Sequence, residues 1–266
     1  MSSVFSEEQK TFIKDNYNKM TYAEIARILN MTDKQVRNKA RQMGLRKTRD
    51  FNKNYFKEID TNNKAYWLGF IYADGYIVLR SRNGELGIEL DDKDTYILEH
   101  FNNELGGVHK INHKTKNKNF NGYNYTTNTS VIRIYSLSIC RDLISLNVVP
   151  NKTNEICYPK CNKEFFFHFL RGFMDGDGCI YINKSRNLLN VHFTNSNKEF
   201  LEYINNEVKD ILKIEGKIYK EKDKKYKLYY YRKDDVKILL DEIYKNSEVK
   251  LDRKYLKYKS FYGSPL

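Results

Sequence analysis

"AYWLGFIYADGYI", residues 65–77, and "HFLRGFMDGDGCI", residues 168–180, share one frame: an apolar run, a small residue, Asp-Gly, then the apolar start of a strand. Asp74 and Asp177 hold the same place in that frame, 103 residues apart. Small residues recur at i and i+4, Gly69 with Ala73 and Gly172 with Gly176, so each pair shares one face of a helix. Two such faces can cross with their backbones close together, which sets Asp74 and Asp177 side by side at the same end. Gly75 and Gly178 are expected to end the helices as left-handed residues.

A carboxylate at a helix C-terminus is disfavoured by about 0.3–1 kcal/mol. Two of them placed together break a second local rule, and such breaks are expected at functional sites. A divalent cation reverses the balance. Mg²⁺ held by carboxylate and phosphate oxygens, with Mn²⁺ as a substitute, is an arrangement suited to phosphodiester chemistry. Asp175 faces Tyr72 in the matching position, so it is expected to tune one site. The plainer reading is a pair of solvated Asp-Gly turns.

The repeat extends past the motifs. "YIVLRSRNGELGIEL" and "CIYINKSRNLLNVHF" alternate as strands do. "DTYILEHFNNEL" and "NKEFLEYINNEVKDIL" follow with helical periodicity, the latter capped by Ser196 with Glu199. "VIRIYS" with "CRDLISL", and "KLYYYR" with "VKILLDEIY", close each copy. Each copy therefore reads α-β-β-α-β-β-α, an α+β chain with internal pseudo-symmetry. Basic patches around Lys152 and Lys254 come next, 78 and 77 residues after Asp74 and Asp177.

Residues 6–45 carry three capping boxes, Ser6 with Gln9, Thr21 with Glu24 and Thr32 with Gln35. They predict helices starting near 7, 22 and 33, with Ile25, Ala26, Leu29, Val36, Ala40 and Met43 inward. Asn30 suits the left-handed turn before the third helix. This small all-α unit matches a helix-turn-helix. Its third helix exposes Lys34, Gln35, Arg37, Asn38, Arg41 and Gln42, side chains suited to guanine and adenine edges. The expected division is a helix-turn-helix domain at 1–48, a basic linker at 49–63, and repeats at 64–160 and 161–266.

The chain's 266 residues include 47 Lys and Arg against 34 Asp and Glu, a net charge of +13. That balance points to a nucleic-acid partner, while 40% hydrophobic residues exclude a disordered polyelectrolyte. No apolar run is long enough for a membrane span. The polar start "MSSVFSEEQK" does not read as a secretory signal, and the four cysteines suggest free thiols in an intracellular, cytoplasmic setting. "CYPKC" with His109 and His113 does not follow a standard zinc spacing. On the strands, Arg80, Arg82, Lys184 and Arg186 are expected to meet bases and phosphates. The Asn-rich stretch 117–130 reads as a loop.

The motifs "WLGFIYADG" (67–75) and "LRGFMDGDG" (170–178) resemble the paired signature of LAGLIDADG homing endonucleases over roughly residues 60–260. The resemblance implies a monomer whose signature helices pack at the centre and whose two curved sheets form a saddle over double-stranded DNA. It implies that Asp74 and Asp177 bind the catalytic metal, with the carbonyls of Ala73 and Gly176 assisting. Lys152 and Lys254 match the family's basic residues beside the scissile phosphate, with Arg253 as a neighbour. The expected activity is metal-dependent hydrolysis of both strands of a long asymmetric site. Two other roles fit the same scaffold, a DNA-binding transcription regulator and a maturase acting on intron RNA. An intein is not expected, since Met1 is no splicing nucleophile and the chain ends "GSPL".

Overall fold

The computed structural model describes residues 5–45, 50–120, 122–149, 158–221 and 225–263. The chain divides into two compact units, residues 1–50 and 51–266. The first holds α1 (Glu7–Asn16), α2 (Tyr22–Ile28) and α3 (Asp33–Gln42). All three capping boxes form, each helix starting where its hydroxyl and its Gln or Glu exchange hydrogen bonds. Phe5, Ile13, Ile25, Ala26, Val36 and Ala40 make the core, with Leu29 packed partly against it. Met43 is only half-buried. Asn30 takes φ 54° in the α2–α3 turn, where its short side chain tolerates the left-handed region.

The second unit contains the repeat. The first copy runs α4 (Asn62–Asp74), β1 (Gly75–Arg80), β2 (Asn83–Asp91), α5 (Thr95–Glu104), β3 (Ile111–Phe120), β4 (Tyr123–Tyr135) and α6 (Leu137–Ser145). The second runs α7 (Phe166–Asp177), β5 (Gly178–Asn183), β6 (Leu188–Asn195), α8 (Lys198–Leu212), β7 (Lys217–Lys220), β8 (Tyr226–Tyr230) and α9 (Lys233–Tyr244). A further helix, α10 (Asp252–Tyr262), closes the chain's described part. Both sheets are antiparallel with the same order, β1-β2-β4-β3 and β5-β6-β8-β7.

The registers match row by row. Gly75, Ile88, Ile132 and Ile111 face one another in the first sheet, as Gly178, Phe193, Leu228 and Ile218 do in the second. Alternate residues point away from this shared core, as the period of two requires. Among the described residues no helix is long and apolar enough to cross a membrane.

Four local expectations change. Gly75 (φ −79°) and Gly178 (φ −90°) are extended rather than left-handed. Each helix turns straight into a strand, so tightly that a Cβ on Gly75 would lie 2.7 Å from the Ile71 side chain, and one on Gly178 2.7 Å from Met174 Cα. Asn197, not Ser196, caps α8, its side chain accepting from the Phe200 amide at 3.0 Å. The stretch 117–130 lies largely in β3 and β4, which project past the core; both faces there are solvated, so no apolar alternation marked them. Finally, most of the stretch read as a linker at 49–63, from Phe51 on, belongs to the second unit, because Tyr55, Phe56 and Ile59 are buried in its core; residue 49 lies outside the described residues.

Candidate active site

The signature helices α4 and α7 cross at their glycines. A Cβ on Gly69 would lie 1.9 Å from the carbonyl oxygen of Phe169, and one on Gly172 1.9 Å from that of Tyr66. No side chain larger than hydrogen fits either place. Farther along, Ala73 sits against Gly176, where a Cβ would come 2.3 Å from the Ala73 methyl and 3.1 Å from Asp74 Oδ2. The Asp74 carboxylate therefore lies over the last turn of the opposite helix, one residue from Asp177. Both acids are solvent-exposed at the helix ends.

Behind them, in the second copy, lies a buried ionic cluster. Asp175 is 2% exposed, and its Oδ2 accepts from the Tyr66 hydroxyl at 3.0 Å and the Leu251 amide at 2.7 Å. Burial pushes its carboxyl up to about 6, against the pull of Lys254 and the Leu251 and Tyr66 hydrogen bonds. Lys254, on α10, is 5% exposed and donates to the carbonyls of Met174 (2.6 Å), Asp175 (2.8 Å) and Gly178 (2.6 Å). Burial lowers its ammonium to about 8, while Asp175 pulls the other way.

An ammonium has three protons, and these three bonds use them. Lys254 thus clamps the C-terminal turn of α7 and neutralises its dipole end. The carbonyl of Gly176 is not among its partners. Arg171, wholly buried, donates to Val249 O (3.0 Å) and Ile243 O (3.1 Å) and lies over the Tyr66 ring. Desolvation lowers its pKa and pushes the adjoining His168 down to about 4.

In the first copy, the place of Asp175 belongs to Tyr72, whose hydroxyl donates to Leu146 O at 3.0 Å. Lys152 lies outside the described residues, as does Cys157. Sequence reasoning missed Tyr66 and Arg171. Arg171 left a signal, a lone charge inside the apolar run "FHFLRGFM".

The remaining expected residues spread over two surfaces. Arg80 ends β1, and Arg82, Lys184 and Arg186 lie in the β1–β2 and β5–β6 turns, all exposed. Arg253 pairs with Asp94 at 3.0 Å. On α3, Lys34, Arg37, Asn38 and Arg41 are exposed and Gln35 is half-buried in its capping box; Arg37 pairs with Asp33 at 2.5 Å. Among the described residues no group of three or more His, Cys, Asp or Glu could hold a metal ion.

The family model of the LAGLIDADG-like domain matches residues 61–144 and again 164–244, the two copies described above. Among solved structures, the homing endonuclease I-WcaI bound to its DNA recognition sequence aligns with a TM-score of 0.56 at 17% identity, covering 77% of this chain and 91% of that one. The meganuclease I-SmaMI bound to uncleaveable DNA aligns at 0.50 and 16%, covering 74% and 88%. An uncharacterized protein of Methanocaldococcus jannaschii, MJ0314, is 26% identical over 208 residues, 77% of this chain and 73% of its own length. With its paired helices, duplicated sheets and two matched segments, the chain belongs to the LAGLIDADG-like domain family.

Proposed function

We propose that the chain is a site-specific endonuclease that hydrolyses both strands of a long, asymmetric duplex DNA site. The observation that carries this reading is the Asp74 carboxylate lying over Gly176, next to Asp177, at the point where both sheets begin. The donor set, two carboxylates with the carbonyls of Ala73 and Gly176, is all hard oxygen. It is incomplete without water and phosphate, which suits Mg²⁺. The glycine at 176 leaves the space that a side chain would fill beside Asp74. When bound, the metal would supply Lewis acidity at a phosphodiester oxygen and a more acidic water.

The residues of the chain do the rest. Asp74 and Asp177 hold oxygen ligands at a shared helix end, and Lys254 fixes the turn that presents Gly176 and Asp177. The exposed arginines and lysines of the hairpin turns neutralise phosphates. The outward face of α3 extends the contact with duplex.

The test is cleavage of a plasmid pool with Mg²⁺ by wild type, Asp74→Asn and Asp177→Asn. Each substitution should abolish linear product while leaving DNA binding in Ca²⁺ intact. Undiminished double-strand cutting by either variant refutes the assignment. Binding without any cutting by wild type supports the regulator reading instead.

A further inference from the structure

Asn190 lies on β6 between Leu189 and Val191, both fully buried in the core, so its side chain belongs to the opposite, outward face. An outward amide on a solvated sheet should be exposed, yet Asn190 is only 7% exposed. It lines a recess of about 480 Å³ together with Tyr219, Tyr229, Tyr231, Lys227 and Arg186. Its Oδ1 is buried and has no hydrogen-bond partner among the described residues. A buried acceptor without a donor is a standing cost to the free protein, removed when a ligand brings the donor. Glu221 also lines the recess, but it is engaged with Lys227 at 3.2 Å.

The first copy has no such feature at this place. Tyr181 pairs with Asn190 as Val78 pairs with Glu85. Glu85 is already held by Arg133 at 3.1 Å and by the Tyr76 hydroxyl at 3.0 Å. The unmatched amide therefore belongs to the second half's outward face.

Resting on the endonuclease reading, we infer that Asn190 is a specificity-determining residue that reads an adenine in the half-site covered by the second sheet. A carboxamide matches adenine with both its atoms, Oδ1 accepting from N6 and Nδ2 donating to N7. Cytosine offers only the N4 donor. Guanine and thymine present acceptors toward the buried Oδ1 and leave it unmatched. The exposed Arg186 at the rim of the recess suits a flanking phosphate. Asn190 stands in the row of Tyr181, four residues along β5 from Asp177. At about 3.3 Å per residue that is ~13 Å, or about four base pairs from the cut at 3.4 Å each.

The experiment is selection of bound duplexes from a randomised pool by the full chain, with Ca²⁺ in place of Mg²⁺. Wild type should enrich one asymmetric sequence with adenine near the fourth base pair of one half. Asn190→Ala should lose that preference alone, by about 5- to 100-fold. Unchanged preferences at the other positions show that the variant is folded. Asn190→Asp, an acceptor only, should shift the position toward cytosine. If both variants enrich the wild-type base at every position, Asn190 reads nothing and the inference falls while the endonuclease reading stands. If wild type itself enriches no sequence, the site-specific reading fails and the inference goes with it.

Discussion

In the second copy, Arg171, Asp175 and Lys254 bury two cations and an acid around the end of α7. The matching places on α4 are Leu68 and Tyr72, with Phe169 and Tyr72 meeting ring to edge where Tyr66 and Asp175 meet by hydrogen bond. The two halves nevertheless share sheet order, register and the glycine crossing. At these matched places one backbone frame is filled by apolar and aromatic side chains in the first copy and by ions in the second; Lys152, which matches Lys254, lies outside the described residues. Buried ions are weak evidence for stability, since desolvation offsets most of their attraction. They do fix geometry: Asp175 ties α7 to α4 and to the start of α10, and Lys254 ties α10 back to α7. Among the described residues at these places, the first, apolar half packs mainly by shape and the second, ionic half by directed hydrogen bonds.

That contrast breaks first at Lys254. Lys254→Met keeps the volume but leaves three carbonyls and the Asp175 charge without their cation, so denaturant titration should show a loss of about 3–5 kcal/mol. Leu68→Met in the apolar half should cost less than about 1.5 kcal/mol. If the two losses are equal, the ammonium clamp is not what holds the end of α7.

The shared part of the frame gives the second test. Gly69→Ala and Gly172→Ala place methyls at the same distance from a backbone carbonyl, and backbone cannot swing aside as a side chain can. Each should cost about 3 kcal/mol, at the upper end of ordinary overpacking, and the two losses should agree. Unequal losses would show that the crossing is looser in one half than in the other.

Much of this was legible because repetition doubled the signal. A single Asp-Gly after an apolar run says little, but the match of Gly69, Ala73 and Asp74 with Gly172, Gly176 and Asp177 set the helix crossing. The capping boxes placed three helix starts because their chemistry is local, a hydroxyl and a side chain three residues on. What stayed hidden depends on contacts between distant residues. Nothing near Lys254 in the chain shows that it lies under α7, 77 residues back, with its protons engaged. The conformation of Gly75 and Gly178 was misjudged for a related reason. A helix stopping on glycine suggests a left-handed turn, whereas here the first strand leaves directly and the glycine relieves crowding. In β3 and β4 the polar, two-sided solvation of a projecting hairpin removed the period that marks a strand.

The smallest effect is the pH dependence of the ionic half, measured on metal-free protein as wild type minus Asp175→Asn. Asp175 in the folded chain is raised from 3.8 to about 6. Between those values the native state binds more protons than the unfolded one, so this group's contribution falls as pH rises from about 4 to about 6. The slope is at most ~1.4 kcal/mol per pH unit, one proton's worth. Lys254, lowered from 10.5 to about 8, acts in the other direction at the alkaline end, where the unfolded chain holds the extra proton and stability rises from about 8 to about 10.5. Paired surface acids such as Glu89, held down to about 2 by Lys114 and Thr129, oppose the first trend in total stability, which is why the difference is the quantity to measure. Wild type minus Asp175→Asn should fall between about pH 4 and about 6, whereas wild type minus Tyr72→Phe, at the matching place in the apolar half, should stay flat. A flat difference for Asp175→Asn would mean that the proton belongs to another group, and the contrast between the halves would then rest on packing alone.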